Sequence, residues 1–378
     1  FCLSRGLGDV YKRQACLCLV SGNRRATGGG GEIADEDRSV GDLGEWGIIA
    51  ALKARMPAGA LTSVGIGDDS AVVTAPSGSV VAAVDLVIEG RHFRREWSSA
   101  YDVGVKAAAR SLTDIAAMGA VNTALLVALA APATLRASWA VDLAEGLAAE
   151  ATRAGAGVVG GDTARADTIT ISVTALGDLE GRRPVLRSGA RPGDVIAVAG
   201  TLGHAAAGLA LLTAGLTARP SPLPEELSSL VTTQLRPSPP YDAGPEAARL
   251  GATAMIDVSD GLLADLSHVA AASEVRINIE TASLPIPAPL REAASLLSQA
   301  KSAGTNRPNA TPEDSGAALA QALDWVLTGG EDHPLIAAFP PETALPPRWR
   351  AIGKVLAGTG VTVDGTPHPG PSGWQHFA

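Results

Sequence analysis

Short apolar runs that end at glycine and aspartate recur along this chain of 378 residues. The segments "VGIGDDSAVV", "VVAAVDLVIEG", "GAGVVGGDT" and "AMIDVSDG" each place acids at the end of a strand-like run. These runs predict buried strands, and apolar periodicity predicts helices over residues 101–118 and 134–154. Because the predicted strands and helices do not alternate strictly, the sequence favours an α+β fold over a doubly wound sheet.

The chain is long and apolar enough for two domains. Hydrophobic residues make up 46% of it, which is sufficient for two sizeable cores. A Gly-, Pro- and Arg-rich stretch starts at Gly181 and is typical of a linker, so we predict domains over residues 40–180 and 181–378. In the second domain, polar residues 300–318 predict a mobile insertion, and "WVLTGGEDHPLIAAF" predicts strand, turn and strand.

Residues 1–39 predict a non-native or disordered leader. Residues 4–14, "SRGLGDVYKRQ", match a translation of a transposon-type sequencing adapter, and a run of four glycines follows further on. All three cysteines, Cys2, Cys16 and Cys18, lie in this leader. The rest of the chain therefore has no disulfide framework, zinc–thiolate site or cysteine nucleophile, which fits a reducing cytoplasm.

Charge and motif spacing exclude several functional classes. The net charge of −9 predicts no basic patch and hence no nucleic-acid partner. No apolar run approaches the roughly 18 residues of a membrane span, so we predict a soluble protein with no membrane partner. The segment "GIGDDS" fails the dinucleotide fingerprint at Ser70, and neither a P-loop nor the protein-kinase motif set occurs.

Acidic residues at the predicted strand ends, with one more inside a predicted helix, are candidate metal ligands. Aspartate beside glycine is common in turns, so turn formation explains any single position. Recurrence after buried runs instead favours a hard-metal site, since carboxylates without clustered His or Cys suit Mg²⁺. The adjacent glycines would let backbone N–H groups approach phosphate oxygens. The candidates are Asp69 (with Asp68 shaping the turn), Asp85, Asp114, Asp162, Asp257, Asp260, Glu331 and Asp332.

Taken in order, several motifs resemble those of thiamine-monophosphate kinases, in the ATP-binding superfamily of aminoimidazole ribonucleotide synthetase and selenophosphate synthetase. The matching segments are "GIGDDSAVV", "VDLVIEGRHF", "KAAARSLTDIAAMGA", "VGGDT", "VLRSGARPGD", "MIDVSDGLLADL", "TGGEDH" and "GWQHF". The resemblance covers residues 41–378 and implies ATP-dependent phosphorylation of thiamine monophosphate to thiamine diphosphate. It also implies an N-terminal domain that binds ATP and Mg²⁺ and forms a homodimer through its sheet, followed by an α/β C-terminal domain.

The same resemblance implies roles for individual residues. Several Mg²⁺ ions would be bound by Asp69, Asp85, Asp114, Asp162, Asp257 and Asp260. ATP would be contacted by Gly161, Asp162, Arg187 and Ser259. The thiamine substrate would be contacted by His92, Glu331 and Trp374.

Some of these positions also have simpler interpretations. On the residues alone, His92 is equally a turn histidine, Trp374 a packing aromatic and Arg187 a solvated charge. Asp265 follows the segment "MIDVSDG" and is predicted to lie on a solvated helix face, so it is not a candidate ligand.

Two departures from the family pattern affect the candidate site. Ala83 and Val84 stand where Ser or Thr is common, and His333 stands where Tyr is common. If the family's contacts at residues 83 and 84 use side chains, this chain has lost them. If those contacts use backbone carbonyls, nothing changes.

The implied chemistry is direct in-line attack of a thiamine monophosphate oxygen on the γ-phosphorus of ATP. A phosphate monoester, with a second pKa of roughly 6, needs no strong general base. The alternatives are another enzyme of the superfamily, a Mg²⁺-dependent phosphohydrolase and a non-catalytic nucleotide- or metal-binding regulator. Selenophosphate synthesis is disfavoured because the cysteines lie in the leader, and "GRHF", "GGEDH" and "GWQHF" disfavour aminoimidazole ribonucleotide synthesis.

Overall fold

The computed structural model describes residues 38–56, 58–66, 70–218, 222–303 and 312–374. Nearly all of the expected leader lies outside these ranges, and so do Asp68 and Asp69. In the described part of the chain, no helix is long and apolar enough to cross a membrane.

The first half of the described chain forms a sheet covered by two long helices. Its strands are β3, β6, β4 and β5 in spatial order, and only the β4–β5 pair is parallel. Helix α1 and the short hairpin of β1 and β2 precede this sheet. The elements are α1 (Val40–Lys53), β1 (Thr62–Val64), β2 (Val72–Val73), β3 (Val81–Ile88), α2 (Ala100–Ala117), β4 (Val121–Ala131), α3 (Ala137–Arg153), β5 (Gly157–Arg165) and β6 (Thr170–Asp178).

Helix α2 is fixed at its start and along its length. Ser99 and Asp102 form a capping box, in which the Ser99 hydroxyl accepts from Asp102 N and the Asp102 carboxylate accepts from Ser99 N. Gly104 meets α3 so closely that a Cβ there would lie 2.2 Å from Leu143 O. Since α2 also packs on β3 and β6, its side chains have well-defined positions relative to the sheet.

The second half forms a larger mixed sheet with helices on one face. Its strand order is β12, β9, β11, β7, β10, β8, and only the β12–β9 pair is parallel. The elements are β7 (Val195–Ala199), α4 (His204–Thr213), α5 (Glu225–Leu235), α6 (Ala243–Arg249), β8 (Ala254–Asp257), α7 (Leu262–Ser273), β9 (Arg276–Ile279), α8 (Ala288–Ala303), α9 (Pro312–Thr328), β10 (Leu335–Phe339), β11 (Arg350–Leu356) and β12 (Gly360–Val363).

Three strands of the second sheet, β7, β10 and β8, are covered on both faces, and on one face the cover is the first half of the chain. In β7, Ala197 belongs to the core shared with α2 and α3, whereas Ile196 and Val198 pack with the C-terminal helices. In β8, Met255 also belongs to the shared core. Because side chains alternate along a strand, Asp257 at the end of β8 points to the same side as Met255, toward the first half.

The predicted α+β, two-part organisation is confirmed by these elements. The prediction of a strand at "WVLT" is wrong, because these residues end helix α9. Ala318, Ala322 and Val326 are buried there at helical spacing, and a short apolar run alone cannot distinguish the two structures. Of the segment predicted as an insertion, residues 300–303 and 312–318 are helical and 304–311 lie outside the described residues.

Candidate active site

One face of α2 carries three ionisable side chains. Lys106, Arg110 and Asp114 are spaced four residues apart, which places them along a single stripe of the helix. Asp85 faces this helix from β3, since Ser111 Oγ on α2 donates to Asp85 Oδ2 at 2.9 Å. The pairing of β3 with α2 therefore brings two of the predicted metal ligands, Asp85 and Asp114, to one place.

A third carboxylate reaches the same place from the other half of the chain. The pKa of Asp114 is raised to about 8, because burial and the charges of Asp257 and Asp85 disfavour its ionised form. Asp114 is also hydrogen-bonded to Asp85. We call Asp85, Asp114 and Asp257 the seam cluster, because they meet where the two halves of the chain pack together.

His333, one of the departures from the family pattern, lies inside this site. Its Nδ1 is 3.2 Å from Asp257 Oδ2, and the side chain is buried. Its backbone has a positive φ of 53° and its N–H donates to Val258 O. The residue at this position therefore contacts a predicted metal ligand directly.

The other departure concerns Ala83 and Val84, whose side chains lie on opposite faces of β3. Ala83 is half-buried on the face that carries Asp85, whereas Val84 is 64% exposed on the opposite face. A side chain at position 84 points away from the seam cluster, so only its backbone is near the predicted metal ligands.

Asp265 orders the loop that follows β8. Its Oδ2 accepts the backbone N–H groups of Ser259, Asp260 and Gly261, each at 3.1 Å. The side chain is buried, and burial together with the charge of Asp257 raises its pKa to about 7. The prediction of a solvated helix face is wrong, because this side chain turns back to satisfy the N–H groups at the start of its own helix.

The candidate substrate residues His92 and Glu331 are joined by a buried lysine. Lys106 Nζ lies 2.8 Å from Glu331 Oε2 and donates to His92 O at 3.4 Å and Gln234 O at 2.9 Å. Arg110 Nη1 donates to the other oxygen of Glu331. Burial raises the pKa of Glu331, but the charges of Lys106 and Arg110 outweigh it, so the net pKa is well below its usual range.

Lys106 and Arg110 were missed by sequence reasoning. The signal that would have found them is their position in the Ala-rich, otherwise apolar helix α2, since a buried cation requires an anionic partner.

Ser259, Asp260 and Trp374 are brought to the same region by backbone contacts. Glu331 N donates to Ser259 O at 3.0 Å, and Trp374 N donates to Asp260 O at 2.9 Å. The Trp374 ring is 66% exposed, so its aromatic face is available beside the loop. The C-terminal segment is thus part of the candidate site.

Gly161 and Asp162 lie elsewhere, at an apolar pocket between α1, α3, β4 and β5. Gly161 must lack a side chain, since a Cβ there would lie 1.9 Å from Val127 O. Asp162 is exposed, and its Oδ1 accepts from Thr163 N. The pocket encloses about 630 Å³ of empty space including its open mouth, and its walls include Leu52, Ile66, Leu129, Leu143, Ala144 and Leu147.

The pocket and the seam cluster are separated across the first sheet. Asp85 pairs with Val173, Val173 with Val127, and Val127 with Gly161. Three strand spacings put Asp85 and Gly161 about 14 Å apart. The structure therefore does not bring Asp162 to the seam cluster.

Arg187 also lies apart from the seam cluster. It is exposed in the linker, where its carbonyl accepts from Ser273 Oγ. Its predicted contact with ATP stays a prediction.

The seam cluster fits a hard cation in its chemistry. Among the described residues, no three carboxylate, imidazole or thiol groups are already arranged to hold a metal ion. The donors are nevertheless carboxylate oxygens, and burial together with the charges of Asp257 and Asp85 raises the pKa of Asp114 although the charge of Arg110 opposes the shift. A divalent cation is the charge that would compensate the repulsion among these carboxylates, and Asp69 is not among the described residues.

Comparison with known proteins places this arrangement in a family. The family models "AIR synthase related protein, N-terminal domain" and "AIR synthase related protein, C-terminal domain" match residues 67–179 and 191–325. A thiamine-monophosphate kinase of Mycobacterium tuberculosis is 44% identical over 351 residues, covering 91% of this chain and 95% of the relative.

Two solved structures are similar along most of their length. The thiamine-monophosphate kinase of Stenotrophomonas maltophilia K279a has a TM-score of 0.68 and 33% identity, covering 85% of this chain and 95% of that one. A structure described as AaThiL complexed with AMPPCP and TMP has a TM-score of 0.68 and 32% identity, covering 89% and 98%. On this similarity in sequence and in fold, the chain belongs to the thiamine-monophosphate kinase family.

Proposed function

We propose that this protein transfers the γ-phosphoryl group of ATP to thiamine monophosphate, yielding thiamine diphosphate and ADP. The observation that carries the proposal is the meeting of Asp85, Asp114 and Asp257 beside Glu331, a carboxylate held by two cations. A site with this charge distribution suits two phosphorylated ligands with metal ions between them. The family relatives, one of them bound to an ATP analogue and TMP, support the same reaction.

Magnesium is the cation we propose for the seam cluster. Asp85, Asp114 and Asp257 would hold it, with Asp69 and Asp260 as further ligands, and Asp162 would bind a separate ion across the first sheet. When bound, Mg²⁺ supplies neutralisation of the phosphate charge that develops during transfer. The protein contributes oxygen ligands held by Ser111, by His333 and by the ordered loop after β8.

ATP would extend across the first sheet. We place its adenine in the apolar pocket beside Gly161 and Asp162, and its phosphates toward Asp85 and the Ser259 loop. The supporting observation is that Gly161 and Asp162 line this pocket together with apolar side chains. Arg187 would reach the phosphates from the linker.

The acceptor would lie between Glu331 and Trp374. The exposed Trp374 ring offers a stacking surface for the aromatic rings of thiamine, and Glu331 offers a carboxylate for its cationic part. His92 is placed next to Glu331 through their shared contact with Lys106. The acceptor phosphate would then point toward the seam cluster.

The outer face of the first sheet supports the proposed homodimer. Val80, Val84 and Leu86 are 54%, 64% and 51% exposed and form an apolar patch at one edge of that sheet. A second copy of the chain would cover this patch. Leu86→Glu should therefore lower the mass measured by sedimentation equilibrium, whereas Leu356→Glu, at an exposed leucine of β11, should not. A cytoplasmic location stays a prediction from the sequence.

The reaction is tested by incubating the purified protein with ATP, Mg²⁺ and thiamine monophosphate. Thiamine diphosphate and ADP in equal amounts support the proposed function. ADP and free phosphate without thiamine diphosphate would instead indicate the phosphohydrolase alternative. No turnover of either ligand, despite measurable binding, would indicate a regulator.

A further inference from the structure

Arg110 lies between the parts of the site assigned to metal and to acceptor. Its Nη1 donates to Glu331 Oε1, and its Nη2 lies 3.9 Å from Asp85 Oδ1. The charge of Asp260 also acts on it. A phosphate lying between Glu331 and the seam cluster would therefore lie against the Arg110 guanidinium.

The contacts of Arg110 leave donors unused. At 3.9 Å the approach to Asp85 is too long for a hydrogen bond. The Arg110 side chain is only 10% exposed, and its buried Nε has no acceptor among the described residues. A guanidinium has five N–H donors in a planar fork. Unused donors on a buried fork suit a bidentate phosphate, whose oxygens match that geometry.

Glu331 is shared by two cations on successive turns of α2. Its Oε1 accepts from Arg110, and its Oε2 lies against Lys106 Nζ. Each oxygen thus lies against one cation, so two positive charges already face this carboxylate. Release of Arg110 would free Oε1, while Lys106 would still hold Glu331 in position.

We propose that Arg110 exchanges Glu331 for the phosphate of the acceptor monoester, an inference that rests on the proposed function. Arg110 is then a catalytic residue that binds the attacking phosphate, and the exchange frees Glu331 for the organic part of the same molecule. An oxygen of the monoester forms a bond to the γ-phosphorus. The bond from that phosphorus to the β–γ bridging oxygen breaks, and its electron pair leaves on ADP. Arg110 keeps all of its protons.

The test compares binding of thiamine monophosphate with binding of thiamine, which lacks the phosphate. Calorimetry is done on the full chain with Mg²⁺ and an ATP analogue that cannot transfer its phosphoryl group. Arg110→Met should weaken thiamine monophosphate binding about 10- to 100-fold, the effect of losing charge-assisted hydrogen bonds. Thiamine binding should not weaken, because the variant leaves Glu331 free of Arg110, and Arg110→Lys should restore part of the loss because it keeps the charge.

Arg182→Met is the matched control. Arg182 also pairs with one glutamate, Glu180, and also has a buried Nε without an acceptor in the described part of the chain. It contacts Gly119 O beyond the end of α2, away from the residues assigned to the reaction. This variant should bind both ligands as the unchanged protein does.

The outcomes separate this inference from the proposed function. If the unchanged protein makes thiamine diphosphate but Arg110→Met weakens thiamine and thiamine monophosphate equally, Arg110 is structural and the inference fails. It also fails if Arg110→Met binds both ligands normally. If circular dichroism shows that Arg110→Met does not fold, the two affinities are compared in Arg110→Lys instead. An unchanged ratio of thiamine monophosphate affinity to thiamine affinity in that variant overturns the inference. Absence of thiamine diphosphate from the unchanged protein counts against the function itself.

Discussion

The seam cluster and the apolar pocket are built on opposite physical principles. At the seam, Asp85, Asp114 and Asp257 are drawn together from both halves of the chain, and burial together with the charges of Asp257 and Asp85 raises the pKa of Asp114 to about 8. The pocket lies within the first half and is walled by apolar side chains, with Asp162 exposed at its edge. The first region concentrates like charges, whereas the second is formed by the packing of apolar side chains. Changes of charge should therefore affect the seam, and changes of volume the pocket.

Asp257→Asn should have the largest effect. It removes a charge from the seam cluster while keeping nearly the same volume, and metal-assisted stabilisation is worth several kcal/mol. We expect kcat/KM for thiamine diphosphate formation to fall about 10³-fold or more. The control is Asp364→Asn, at an exposed aspartate that caps Thr281. Full activity of Asp257→Asn would contradict the role of the seam cluster.

Asp265→Ala should have the next largest effect. It leaves three N–H groups of the loop after β8 without their acceptor, which costs about 1–3 kcal/mol. The free energy of unfolding, measured with urea, should fall by that amount. Asp265→Asn keeps an oxygen acceptor and should lose less. Equal losses in the two variants would show that the loop needs the charge and not the hydrogen bonds.

Ala144→Leu tests the pocket by volume. The added atoms would enter the pocket, so we expect KM for ATP to rise about tenfold while KM for thiamine monophosphate stays the same. Ala148→Leu, one turn later on α3 and not in the pocket wall, is the matched control for overpacking. If both substitutions change KM for ATP equally, adenine does not occupy this pocket.

The last effect is a pH dependence and concerns a buried acid outside both regions. Asp332 accepts from Thr201 Oγ1 and from His204 N and Ala205 N at the start of α4. Burial raises its pKa from 3.8 to about 7 despite these bonds and the charge of His333. The folded protein thus holds this proton more tightly than the unfolded chain does, so stability should decline as pH rises from about 4 to about 7.

Asp332→Asn should flatten part of that decline in urea unfolding measured across this pH range. Some slope should remain, because the pKa of Asp265 is raised in the same direction. Asp364→Asn is again the control. Hydrogen bonds from Thr281 lower the pKa of Asp364, so this residue changes the pH dependence of stability only below about pH 4. If the free energy of unfolding of Asp332→Asn falls with pH as steeply as that of the unchanged protein, the raised pKa of Asp332 is contradicted.

Local pattern was enough to predict part of the site. The recurrence of acids beside apolar runs marked Asp85 and Asp257, which do meet with Asp114. Asp257 ends a buried strand as predicted, whereas Asp85 lies in the middle of β3, which is exposed on one face. The separation of Asp162 from them was not predictable, because it follows from the strand order β3, β6, β4, β5, which no local pattern specifies.

Lys106 and Arg110 were missed because their partner is distant in sequence, whereas the position of Asp265 depends on a local loop. Lys106 and Arg110 acquire their role only when Glu331 arrives from the other half of the chain. Asp265 was read as solvated because periodicity gives a helix face but not the loop that folds back over it. Assigning these residues required the tertiary structure.

The strand β7 serves two cores at once, with Ala197 in one and Ile196 and Val198 in the other. A chain cut at the linker would expose to water the face of β7, β10 and β8 that packs on the first half. The two halves should therefore melt in one cooperative transition, and neither should be an independent folding unit, even though each matches its own family model. For this protein, the boundary between family models is not a boundary of thermodynamic stability.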